Sequence, residues 1–93
     1  MSWQDTIANA EAGIPRAQVM LTRAEGRSSK RLIAGDIEAA LQEVGTDIEL
    51  VNLLDLYSLP YSAEGLVQCA GYLGRDLANP STRREYFGLV ASA

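Results

Sequence analysis

Prolines and glycines cut this chain into short pieces. Gly13 with Pro15, then Gly26, Gly45, Pro60 and the Ala78-Asn79-Pro80 turn stand between apolar segments. No stretch between two such breaks exceeds about five helical turns. The pieces read as helices. Alanine (13 residues) and leucine (12) far outnumber valine and isoleucine (five each), a mixture weighted to helix formers over β-branched strand formers. Trp3 to Ala12 places Trp3, Ile7, Ala10 and Ile14 on one stripe before Gly13 and Pro15 end it. Pro15, suited to a first helical turn, opens a second segment carrying Ala17, Met20, Leu21 and Ala24 to Gly26.

The clearest periodicity follows. Ser28 or Ser29 can cap a helix in which Ile33, Ile37, Ala40, Leu41 and Val44 recur at three-and-four spacing before Gly45. Thr46-Asp47-Ile48-Glu49 has the capping-box pattern, and Leu50, Leu53, Leu54 and Tyr57 form the next stripe, which Pro60 halts near Ser58. Ser62 starts a segment lined by Leu66, Val67, Ala70, Leu73 and Leu77. Its Gly65, Gly71 and Gly74 either weaken it by about 1 kcal/mol each or permit close helix packing. Ser81 caps a last helix with Tyr86, Phe87, Leu89 and Val90. The expectation is one all-α domain over residues 1–93, a bundle of five or six short helices.

Composition excludes several classes of protein. With 47% hydrophobic and 22% charged residues the chain has enough apolar material for a core. No apolar run approaches the roughly 18 residues of a membrane span, and Met1-Ser2-Trp3-Gln4-Asp5 lacks the basic start of a signal peptide, so a soluble cytoplasmic protein is expected. A single cysteine, Cys69, fits a reducing compartment. Histidine is absent, which removes the usual general base and the commonest transition-metal ligand.

An alternative α/β reading spans about residues 18–56. Gln18-Val19-Met20-Leu21-Thr22 can form a strand, residues 30–44 a helix, and Asp47 to Leu56 a second strand, which makes a βαβ unit. Thr22-Arg23-Ala24-Glu25-Gly26-Arg27-Ser28-Ser29, followed by Ile48-Glu49-Leu50-Val51-Asn52-Leu53-Leu54-Asp55-Leu56, resembles the opening of the flavodoxin-like FMN reductases. The resemblance implies a flavin phosphate held by residues 23–29 at a helix N-terminus. Leu21 stands where that family has a glycine, and the 33 residues after Pro60 are too few for the remaining strands and helices. The all-α reading is therefore preferred.

Charge is sharply positioned. Leu32 to Gly74 contains Asp36, Glu38, Glu43, Asp47, Glu49, Asp55 and Glu64 and no basic residue, a net charge of −7 within a chain of −4. Such a block repels polyanions and steers basic partners toward itself. The pairs Asp36/Glu38 and Asp47/Glu49 read as helix-start charges. Gly26-Arg27-Ser28-Ser29-Lys30-Arg31 could hold an anion, or be a solvated helix start. A second binding alternative is a helix-turn-helix over residues 47–57 and 62–76. Its outward residues would be Glu64, Gln68, Tyr72 and Arg75, and a winged variant would place Arg83 and Arg84 in a hairpin. The acidic block disfavours DNA as its ligand. Cys69, near an apolar stripe with no histidine to activate it, reads as buried and inert.

Tyrosines Tyr57, Tyr61 and Tyr72 are the residues that core packing explains least, because exposed rings near apolar groups suit partner binding. The functional expectation is a non-catalytic regulatory, adaptor or assembly subunit that needs no cofactor or metal. Its partner is another protein with a basic surface, or a second copy. The contact is expected at Tyr57, Tyr61 and Tyr72 and on the acidic face of Glu49, Asp55 and Glu64.

Overall fold

The computed structural model describes residues 14–87 and is all-α. The order is α1 Pro15–Glu25, α2 Lys30–Glu43, α3 Leu50–Leu56, α4 Ala63–Ala78 and α5 Pro80–Phe87. The expected helix over residues 3–12, and Leu89 and Val90, lie outside the described residues. Gln18 to Thr22 is inside α1, and no strand occurs among the described residues. The βαβ alternative and the flavin-binding reading built on it are thereby corrected.

Helix α4 is the hub, packing against all four other helices. Gly65, Leu66, Cys69, Ala70, Leu73, Gly74 and Leu77 are its buried residues, two adjoining rows at a spacing of four along the helix. Met20, Ile33, Ile37, Leu53, Cys69, Leu73 and Leu77 are fully enclosed. Each large apolar side chain so buried contributes about 1.5–3 kcal/mol relative to exposure. Two glycines make the packing close. A Cβ on Gly74 would stand 2.6 Å from Leu21 Cγ, and one on Gly65 would stand 1.9 Å from the Pro60 carbonyl oxygen. Gly71 has nothing within 4 Å, so close packing does not explain it.

Helix ends show where local reading succeeds and where it fails. Three helices finish alike. At α1, α2 and α3 the pairs of bonds Ser28 N–H to Arg23 O with Arg27 N–H to Ala24 O, Thr46 to Leu41 with Gly45 to Gln42, and Leu59 to Leu54 with Ser58 to Asp55 satisfy the last carbonyls. The left-handed residue in these turns is Arg27 (φ 53°), Gly45 (φ 72°) and Ser58 (φ 57°). Gly26 itself stays right-handed. Ser62 caps α4, its Oγ accepting from Gly65 N–H at 3.1 Å. The capping box at Thr46 does not form. Thr46 Oγ1 accepts from Ile48 N–H instead, and α3 begins only at Leu50, with Glu49 making no capping bond. Asn79 rather than Ser81 caps α5, accepting from the N–H groups of Ser81 and Thr82. Ser29 occupies the position before α2 without a capping bond.

Two carboxylates of the acidic block join helices. Asp36 does not lie at a helix start: it is mid-α2, buried at 4% exposure, with Oδ2 2.9 Å from Arg23 Nη1 of α1. That contact is an ion pair by distance but offers the oxygen no hydrogen bond of good angle. Glu43 at the end of α2 accepts from Arg16 N–H at 3.4 Å, with the Arg16 guanidinium 3.9 Å away. A carboxylate thus meets the unsatisfied N-terminus of α1, where Ile14 supplies no side-chain cap.

Candidate functional site

Two of the three exposed rings among the described residues, Tyr72 and Tyr86, gather in a cleft lined from α4, α5 and the end of α3. Tyr57 follows the last turn of α3, held there by the left-handed Ser58 that turns the chain toward α4. Tyr72 and Asp76 are four residues apart on α4 and so share a face. Tyr86 comes from the end of α5. Together with Leu56 these residues line one open cleft of about 460 Å³. Leu56, Tyr72 and Tyr86 are 49%, 43% and 49% exposed, whereas Tyr57 is half-buried at the base.

The base of the cleft is a polar and aromatic lock. Tyr57 Oη donates to Asp76 Oδ2 at 2.5 Å, and the rings of Tyr57 and Tyr72 stand 5.8 Å apart, tilted by 39°. Burial first, then the bond to Asp76 and its negative charge, pushes the Tyr57 phenol above its ordinary range, so it stays a neutral donor. Arg75 places its guanidinium 5.4 Å from the Tyr72 ring centroid. Such arrangements hold two rings in place without an apolar core above them.

The sequence-expected residues divide into separate places. Tyr57 and Tyr72 meet. Tyr61, 60% exposed, donates its hydroxyl to Asp55, and that bond raises the phenol's pKa. Glu49 lies at the opposite end of α3, in another open cleft with Glu38, Asp47, Ile48, Leu50 and Val51. Glu64 is exposed in the first turn of α4. Glu64, Gln68, Tyr72 and Arg75 are all exposed, as an outward α4 face requires. Arg83 and Arg84 lie on α5, so the winged hairpin is not formed. Arg27, Lys30 and Arg31 are exposed around the α1–α2 turn.

Three cleft residues were not singled out as site residues by sequence reasoning: Leu56, Asp76 and Tyr86. Tyr72 and Asp76 at helical spacing carried the only local signal. The sequence pattern puts Tyr86 in the apolar stripe of the last helix, yet Phe87 takes the buried place at 7% exposure. Cys69 is enclosed as expected, and burial pushes its thiol up to about 12. No group of His, Cys, Asp or Glu among the described residues is arranged to hold a metal ion, and no helix among them is long and apolar enough to cross a membrane. Comparison of the chain with protein-family models, with curated proteins and with solved structures finds no match, so the cleft's own geometry carries the functional reading.

Proposed function

We propose that this chain is a non-catalytic protein-interaction domain of the cytoplasm, a regulatory, adaptor or assembly subunit, and that its contact surface is centred on the tyrosine cleft. The observation that carries the reading is the clustering of Leu56, Tyr72 and Tyr86, each more than two-fifths exposed, around one concavity. Isolated exposed apolar groups are ordinary, whereas a contiguous set with aromatic anchors marks interaction surfaces. Tyrosine suits that role because a large ring is presented with few rotatable bonds to immobilise. Asp55 and Tyr61, bonded to each other, extend the surface along the α3–α4 connection.

The test compares tagged wild-type chain with a Tyr72→Ser/Tyr86→Ser variant in capture from native lysate, read by mass spectrometry. A protein recovered in fixed ratio by the wild type and lost by the variant, with helix content unchanged by circular dichroism, is the expected result. Equal recovery by both would refute the site. Retention of duplex DNA by the wild type, lost when Arg75, Arg83 and Arg84 are neutralised, would overturn the reading in favour of the helix-turn-helix.

A further inference from the structure

The cleft has a chemistry beyond its shape. Its lining comprises Leu56, Tyr57, Tyr72, Asp76 and Tyr86, and includes no lysine or arginine. The face of a phenol ring is the negative end of its quadrupole, so rings and carboxylate favour the same guest, a positive charge. Ring centroids 5.8 Å apart and tilted by 39° form a wedge. A cation in its mouth can lie within about 6 Å of both, the range over which a ring attracts it. The Arg75 guanidinium stands 5.4 Å from the Tyr72 centroid, so this ring already carries one planar cation of the chain itself, and a guest must approach the ring from the cleft. Arg75 itself lines a different, smaller cleft with Ile14, Ala17 and Leu21.

The remaining lining residue narrows the choice of cation. Leu56, half exposed beside the rings, offers an apolar wall, which suits alkyl groups or the methylene stem of a long side chain. A compact ammonium keeps its water shell in so open a site, whereas guanidinium and alkylated ammonium are weakly hydrated and lose less on entering. The exposed carboxylates between Leu32 and Gly74, those of Glu38, Asp47, Glu49, Asp55 and Glu64, supply an attractive field of longer range.

We propose that the cleft of Leu56, Tyr57, Tyr72, Asp76 and Tyr86 binds a weakly hydrated organic cation, either the arginine or alkylated lysine side chain of a partner protein or a free quaternary amine. The first source rests on the interaction reading above; the cation chemistry of the cleft does not.

Titration of the full chain followed by NMR tests it, with four probes: choline, the neutral isostere in which tert-butyl replaces trimethylammonium, N-acetylarginine amide and N-acetyl-trimethyllysine amide. Ring currents should move the choline N-methyl protons upfield in a saturable manner, and the neutral isostere should bind about tenfold more weakly. Tyr72→Leu and Tyr86→Leu should each weaken choline by about three- to fivefold, while Tyr72→Phe, which keeps the ring, should bind as the wild type does. Arginine amide displacing choline assigns the cleft to an arginine side chain; choline binding that arginine amide leaves untouched narrows it to a quaternary ammonium, which N-acetyl-trimethyllysine amide then assigns to a protein side chain if it displaces choline and to a free amine if it does not. Equal binding of choline and its isostere, or no saturable shift, overturns the proposal. Choline binding weakened as expected in Tyr72→Leu with partner capture unchanged would leave the cation site standing and refute the interaction surface.

Discussion

Replacing Gly65 by alanine and replacing Gly71 by alanine are the same chemical change in the same helix, and they should act in opposite directions. At Gly71 a Cβ meets nothing within 4 Å, so only backbone preference is felt, and alanine should stabilise by about 0.5–1 kcal/mol. At Gly65 the Cβ would lie 1.9 Å from the Pro60 carbonyl oxygen and 2.9 Å from its carbon. An ordinary C···O approach is about 3.3 Å, so the α3–α4 connection must withdraw by more than an ångström. The obstacle is backbone, which cannot swing aside as a side chain does. Overpacking of this kind costs about 1–3 kcal/mol, and displacing Ser62 from Gly65 N–H endangers a cap contributing about 1 kcal/mol more. Against the gain in propensity, the net loss should be about 2 kcal/mol, or on the order of 10 °C in Tm. Urea unfolding followed by circular dichroism measures both variants. Equal stability of the two would refute the close approach of α4 to Pro60. The same displacement moves Tyr72 relative to Tyr57, so Gly65→Ala should also weaken choline binding.

Ser58→Gly should stabilise by a few tenths to about 1 kcal/mol, because it relieves a side chain of a left-handed backbone (φ 57°); calorimetry reads the rise in Tm, and a fall would contradict the assigned conformation. Arg23→Met should cost about 3 kcal/mol by stranding a carboxylate whose side chain is 5% exposed, and Asp36→Leu should cost less, since the Arg23 side chain, 35% exposed, can turn to water; equal losses in urea unfolding would speak against that asymmetry. The Cys69 thiol should resist aromatic disulfide reagents until the chain is unfolded. Because its folded pKa, about 12, exceeds the ordinary value of 9.0, its contribution to stability is complete below pH 9 and is lost between about pH 9 and 12. The raised Tyr57 phenol adds a loss of the same sign beginning near pH 10, so unfolding measured across this range should show falling stability.

Elements whose determinants are local were legible in the sequence. Ile33, Ile37, Ala40 and Leu41 place α2 because all four are buried along one face of the helix. Ser62 marks the start of α4 because its partner, Gly65 N–H, is three residues away. Features that depend on long-range neighbours were not. Asp36 looks like a helix-start charge until Arg23, thirteen residues earlier in the chain, lies against it. Thr46 and Glu49 have the right identities for a capping box, yet Ile48 N–H competes for the same hydroxyl and wins by proximity. Choosing between Tyr86 and Phe87 for the buried place requires the rotational setting of α5 on α4, which no local pattern encodes. The cleft inherits that limitation. Its tyrosines stand 15, 14 and 29 positions apart along the chain (Tyr57–Tyr72, Tyr72–Tyr86, Tyr57–Tyr86), so only the packing of three helices assembles it.

The acidic block separates into parts once the fold is known, and the separation predicts how binding should respond to salt. Asp36 and Glu43 are engaged by Arg23 and Arg16 and tie α1 to α2, so they add little to the outer field. Glu38, Asp47, Glu49, Asp55 and Glu64 remain exposed, and of these Asp55 is tethered to Tyr61. None of the five lines the tyrosine cleft, whose carboxylate is Asp76. Charges outside a contact act mainly on encounter: they raise the association rate of an oppositely charged partner and are screened beyond about 8 Å at physiological ionic strength. Groups inside the contact act mainly on dissociation. Glu49→Gln/Glu64→Gln should therefore slow association with a basic partner and flatten its salt dependence while leaving dissociation nearly unchanged. Tyr72→Leu should do the reverse. Surface plasmon resonance at low and high salt separates the two. A faster dissociation in the glutamine variant would show that the carboxylates themselves touch the partner, and would extend the interface from the cleft across the acidic face.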